Sequence, residues 1–238
     1  MSKINNLFFD FDMTLGYRIS MWKETVKELL LEENFVVEKL DFIDFIAGGG
    51  YPWARSELSH TDFFKGLTWW EYVGKFIYDN LIKFTDGKTA KKVAEAFPAK
   101  YCDIKYWRVF KDTKEVLPEL KKNYNLYLLS NHVPEAREII EKLKLAEYFD
   151  KMIFSSEYEY EKPHVKIFNY AIEECDAQPE NSVMIGDNLL ADIMGAKQIG
   201  MNAVLVRKEN ISKYPYYCKT LYELPACLEK LENTVENK

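Results

Sequence analysis

Short apolar runs alternate with longer amphipathic stretches along most of this chain. The runs fall at residues 4–9, 126–129, 152–154, 183–185 and 203–206. Each is short and continuous, as expected of a strand covered on both faces. Between and after them, apolar residues recur at helical spacing over 113–124, 135–145, 163–175, 189–199 and 221–231. Pro118 lies inside the first of these stretches, whereas Pro163 suits a first helical turn and Gly200 closes the helix ending at 199. A polar tail is expected over 233–238. Strand and helix in alternation predict an α/β fold with a parallel sheet. In such sheets ligands bind beyond the carboxyl ends of the strands.

Residues 16–104 do not alternate in this way. Helical periodicity covers 22–31, 36–46, 69–84 and 88–101, with Ser20 a candidate cap for the first. The second stops at Gly48-Gly49-Gly50, three residues that break helix or strand and predict a loop running into Tyr51, Pro52, Trp53 and Arg55. That loop could be a simple helix-to-helix connection or a segment that touches substrate. The whole stretch reads as a separate helical insertion.

The chain has 238 residues, 47% hydrophobic and 15% aromatic, enough for one core domain and a smaller inserted one. A formal net charge of -6 argues against a broad nucleic-acid-binding face. Cys102, Cys175, Cys218 and Cys227 are scattered and read as free thiols of a reducing compartment. The histidines are scattered too, which speaks against a zinc site. The first residues carry no apolar region of a signal peptide, and no apolar run approaches membrane-span length. A soluble, cytoplasmic protein is expected, without a membrane or nucleic-acid partner; its oligomeric state is left open.

Chemistry gathers where the runs end. The first leads into Asp10-Phe11-Asp12-Met13-Thr14, the second into Ser130-Asn131, and the fourth into Gly186-Asp187-Asn188, with Asp192 further on. A lone lysine, Lys162, precedes Pro163. Two carboxylates brought into one crevice are costly unless a cation or donor compensates, and a hard divalent cation with oxygen ligands would do so. Taken singly, each group is ordinary: Lys162 a solvent-exposed residue at a helix start, Ser130 a turn or cap, Asp192 a helix-dipole partner. Together and in this order they resemble the four motifs of the haloacid dehalogenase-like hydrolase superfamily. Residues 1–15 and about 105–207 carry the likeness.

That resemblance implies a Rossmann-like core over 1–15 and 105–238, with an α-helical cap over 16–104. It also implies a phosphatase acting on a small phosphorylated metabolite. Asp10 would attack phosphorus and form an aspartyl-phosphate, and Asp12 would donate and then accept a proton. Mg2+ would be held by Asp10, Asp187 and the backbone carbonyl of Asp12. Ser130, Lys162 and the backbone N–H of Asn131 would hold phosphate oxygens, Thr14 would orient the loop beside them, and Asp192 would orient Lys162 or a metal-bound water. Met13 stands where the family has Gly, which allows unusual backbone angles. His132 could enter a helix or contact substrate.

Candidate cap contacts are Arg18, Tyr51, Trp53, Arg55, Trp69 and Trp70. Arg18 and Arg55 are preferred because a guanidinium matches a carboxylate or second phosphate bidentately. Asp12 favours a phosphoester over a carbon–halogen substrate, since a halide leaves without a proton. A phosphonatase would need a cap lysine that nothing singles out. A sugar phosphomutase or a catalytically silent interaction protein would keep the same scaffold.

Overall fold

The computed structural model describes residues 3–35, 51–209 and 213–236. The expected stretch 36–46 and the Gly48–Gly50 loop lie outside the described residues. The chain forms two compact units: Met1–Tyr17 with Arg108–Lys238, and Arg18–Trp107. It leaves the first through β2 (Gly16–Arg18) and returns through β3 (Trp107–Val109).

The first unit is built on a six-stranded sheet. Its strands are β1 (Asn6–Phe9), β4 (Asn125–Ser130), β5 (Lys151–Phe154), β6 (Ser182–Gly186), β7 (Asn202–Val206) and β8 (Tyr217–Cys218). They lie in the order β5-β4-β1-β6-β7-β8, and every neighbouring pair is parallel. Leu7 and Phe9 point to one face of β1 and Phe8 to the other, and all three are fully buried. Both faces of the central strand are therefore covered, as its unbroken apolar sequence requires. On the Phe8 face, Tyr127, Leu129 and Met184 pack with Ile167, Phe168, Ile193 and Ala196.

Register positions the chemistry. Phe9 pairs with Leu128 on one side and Ile185 on the other. Asp10, Ser130 and Asp187 consequently emerge at the same edge of the sheet, at the carboxyl ends of β1, β4 and β6. The strand order turns around β1, the place where an open α/β sheet has its crevice.

Two helices depart from the sequence expectation. Residues 189–199 are not one α-helix: Leu189–Met194 is a π-helical segment and only Gly195–Gln198 is α-helical. The wider turn, with Ile193 N–H donating to Asn188 O, carries Asp192 inward to full burial. The closing helix runs Leu224–Glu236, into the residues expected to be a polar tail. Among the described residues, no helix is long and apolar enough to cross a membrane.

The second unit is helical: Trp22–Glu32, His60–Phe64, Trp69–Leu81 and Gly87–Tyr101. Thr68 and Glu71 form a reciprocal capping box at the third, and Asp86 caps the fourth. Ser20 does not cap the first; its hydroxyl donates instead to the Glu28 carboxylate at 2.7 Å. Trp22 is the centre of this unit, packed against Tyr51, Phe97 and Tyr101 with ring centroids 4.1, 5.2 and 4.1 Å away.

Candidate active site

Four buried charged groups meet at the sheet edge. Lys162 Nζ lies 2.8 Å from Asp10 Oδ1 and 2.6 Å from Asp192 Oδ1, and it also donates to Leu129 O at 2.8 Å. Ser130 Oγ donates to the same Asp10 oxygen at 2.8 Å. An oxygen from each of Asp10, Asp187 and Asp192 lies within 4.8 Å of the others, a set that could hold a cation. Asp187 also meets a cation from the chain itself, Lys208 Nζ, 2.9 Å from its Oδ2.

The electrostatics follow from burial. Lys162 is 2% exposed. Burial works against its charge, but Asp10 and Asp192 outweigh that and hold it more firmly protonated than a free lysine. Burial pushes the Asp187 carboxyl up, the negative charge of Asp10 adds to this, and Lys208 and Lys162 oppose it. Asp192 is pushed up as well, chiefly by burial, with Lys162 pulling against it. The cluster is short of positive charge, and a bound cation beside Asp10 and Asp187 fits that deficit.

Local structure explains how the groups reach these positions. After Asp10 the chain turns tightly, and the Phe11 carbonyl accepts the N–H groups of Thr14, Leu15 and Gly16. Met13 takes φ +60° here, so the turn keeps a left-handed residue although its side chain is not hydrogen. The Thr14 side chain is buried within the turn, and its carbonyl accepts from Arg207 Nε at 2.6 Å. Arg207 is in turn held by Asp112. At Gly186 any side chain would collide with Asp192: a Cβ there would sit 2.1 Å from Oδ2. The glycine before Asp187 therefore makes room for the carboxylate that holds Lys162.

Several of the other candidate residues have partners of their own. The side chain of Asn131 is committed to the Lys162 backbone, accepting from its N–H at 2.7 Å and donating to its carbonyl at 2.9 Å. The side chain clamps the lysine segment. The third carboxylate near Asp10 and Asp187 is Asp192, whereas the Asp12 side chain faces His132 with 3.6 Å between Oδ2 and Nε2. Arg18 is not available for substrate. Buried at 4% exposure, it donates to the carbonyls of Tyr101 and Lys100 and to Thr25 Oγ1, and it stacks over the Tyr101 and Tyr106 rings. An arginine on a short strand among aromatics finds carbonyl partners within its own unit. Tyr51 and Trp69 are likewise buried core. Arg55 is exposed and paired with Glu57. Trp53 lies in the turn Pro52–Arg55, and its side chain is outside the description.

Lys208 and Arg207 were not singled out from sequence. Both follow directly on β7, and the position of a cation just past a strand's carboxyl end was the available signal.

The comparisons with known proteins bear on the family and the fold. A family model described as haloacid dehalogenase-like hydrolase matches residues 7–206. The N-acylneuraminate-9-phosphatase of Homo sapiens is 30% identical over 98% of this chain and 96% of its own length. The glyceraldehyde 3-phosphate phosphatase of Pyrococcus furiosus is 32% identical over 68% of this chain and 72% of its own. In fold, the chain is similar to a HAD-hydrolase of Bacillus subtilis solved bound to magnesium, with a TM-score of 0.69 at 19% identity, covering 96% of this chain and 100% of that one. With the family pattern running through most of its length, and a relative alike from end to end, the chain belongs to the haloacid dehalogenase-like hydrolases.

Proposed function

We propose that this chain is a magnesium-dependent phosphatase that hydrolyses a small phosphomonoester through an aspartyl-phosphate on Asp10. The observation that carries the reading is the position of Lys162, an ammonium buried between Asp10 and Asp192 with Ser130 on the same Asp10 oxygen. Such a cluster is costly in the resting protein, and with a divalent cation added it would suit a site that receives a dianion.

In the first step an Asp10 carboxylate oxygen forms a bond to phosphorus, and the bond to the leaving oxygen breaks. Asp12 gives that oxygen a proton. In the second step Asp12, now a carboxylate, takes a proton from water. The resulting hydroxide attacks phosphorus, and the Asp10–phosphorus bond breaks to release inorganic phosphate. Lys162 and the Ser130 hydroxyl hold phosphate oxygens, and Asp192 keeps Lys162 aimed. Mg2+ would be held by Asp10, Asp187 and the Asp12 carbonyl, and its charge would let an anionic nucleophile approach an anionic phosphate. The role given to Lys208 is to neutralise Asp187 until that ion binds.

The helical unit serves as the cap that selects the substrate. Phosphorylated sugars and sugar acids lead the candidates, because the two named relatives act on hydroxylated carbon chains carrying a phosphomonoester. The four cysteines are thiols, which suits a cytoplasmic setting.

Release of inorganic phosphate from a panel of phosphorylated sugars, acids and nucleotides tests the reading. Turnover should vanish with a chelator and return with Mg2+. Turnover that rearranges the substrate and releases no phosphate would replace hydrolysis with a mutase reaction.

A further inference from the structure

His132 leaves the tip of β4 two residues after Ser130 and is buried, at 3% exposure. Its backbone N–H donates to Ser155 Oγ at 3.2 Å, and its ring lies between Phe11 and Phe154, with centroids 5.8 and 6.4 Å away. Ring Nδ1 accepts the Val133 N–H at 2.9 Å. A neutral imidazole that accepts at Nδ1 carries its proton on Nε2. That nitrogen lies 3.6 Å from Asp12 Oδ2.

We propose that His132 is a positioning residue for Asp12: a fixed, uncharged N–H donor that holds the carboxyl group in line with the leaving oxygen. The proposal rests on the reading of Asp12 as the proton donor. The Asp12 side chain is 29% exposed and sits in the turn after β1, so a fixed donor on one side narrows the rotamers it can take. A separation of 3.6 Å is longer than a hydrogen bond, and contacts of this kind in empty sites shorten when substrate binds. With Nδ1 occupied as an acceptor, the ring presents Nε2–H to Asp12 as a donor. A purely apolar ring would fill the space between Phe11 and Phe154 at lower desolvation cost. The imidazole adds direction.

The test compares kcat/KM for phosphomonoesters of graded leaving groups, from p-nitrophenyl phosphate to simple alkyl phosphates. An alkoxide needs a proton donor, whereas p-nitrophenolate leaves without one. Asp12→Ala should lose far more on alkyl phosphates than on p-nitrophenyl phosphate. His132→Leu and His132→Asn should show the same selective loss, roughly tenfold, as part of the larger effect of general acid catalysis. His132→Gln places an amide N–H near the original Nε2 and should recover most of it. Asn, whose amide reaches only the Nδ1 position, should not, and this pair decides the matter even where the leucine variant folds poorly. Equal losses on all leaving groups in His132→Asn and His132→Gln, with Asp12→Ala still selective, would overturn the proposal alone. A flat response in Asp12→Ala would overturn the reading of Asp12 and the proposal with it.

Discussion

Replacing Lys162 with methionine removes one charge from the most buried ion cluster in the first unit. The ammonium lies 2.8 Å from one carboxylate oxygen and 2.6 Å from another. At an effective dielectric of about 20, each contact is worth about 6 kcal/mol of Coulomb attraction. Most of that is offset by desolvation of the three groups, so breaking the cluster should cost about 3–5 kcal/mol. The cost depends on pH with a definite sign. Burial already pushes the Asp192 carboxyl up against the pull of Lys162, so without the lysine Asp192 holds its proton in the folded state at pH values where the unfolded chain has lost it. The folded state then binds more protons, and stability falls as pH rises. Urea unfolding of Lys162→Met and the parent, at pH 5.5 and 8, measures this directly. The deficit should be larger at pH 8 and partly restored by Mg2+. A deficit below about 1 kcal/mol, or one that does not vary with pH, would refute the assignment of Lys162 as the internal counter-ion.

Other perturbations have equally definite outcomes. Met13→Gly relieves a left-handed residue at φ +60° and should stabilise the protein by up to about 1 kcal/mol in thermal unfolding, leaving turnover intact. Gly186→Ala puts a methyl group 2.1 Å from Asp192 Oδ2, so Asp192 must release Lys162. A stability loss of about 1–3 kcal/mol and a severe loss of kcat should be seen together. His132 is held down to about 4 against an ordinary 6.5, so between those values the unfolded chain binds the extra proton. Stability should fall by up to about 3 kcal/mol as pH drops through that window, and His132→Gln should abolish this contribution in acid unfolding curves.

The sheet and its chemical edge were legible in the sequence because each strand is an unbroken apolar run ending in a polar group. Asp10, Ser130 and Asp187 declare themselves by following Phe9, Leu129 and Gly186 at matching strand ends. What could not be read was pairing that depends on the third dimension. The Asn131 side-chain amide binds the Lys162 backbone across 31 positions of sequence, a pairing that no local pattern announces. Arg18 looks like a substrate arginine because guanidinium groups serve that purpose, yet its partners are the Tyr101 and Lys100 carbonyls at the end of a distant helix. Periodicity also cannot distinguish an α-helix from the π-helical turn at Leu189–Met194, since a single wider turn shifts the pattern by less than one residue. Lys208 is marked in the sequence only by its place just past the carboxyl end of β7, and its pairing with Asp187 emerges from the fold.

Phosphate captured on the protein during turnover tests the central claim most directly. Rapid acid quench, followed by peptide mapping with mass spectrometry, should find the added phosphate on the segment that contains Asp10. The label should be absent from Asp10→Asn, which should fold and fail to turn over. A variant that hydrolyses substrate at near-parental rate without Asp10, or a phosphate that appears only on another residue, would contradict Asp10 as the nucleophile.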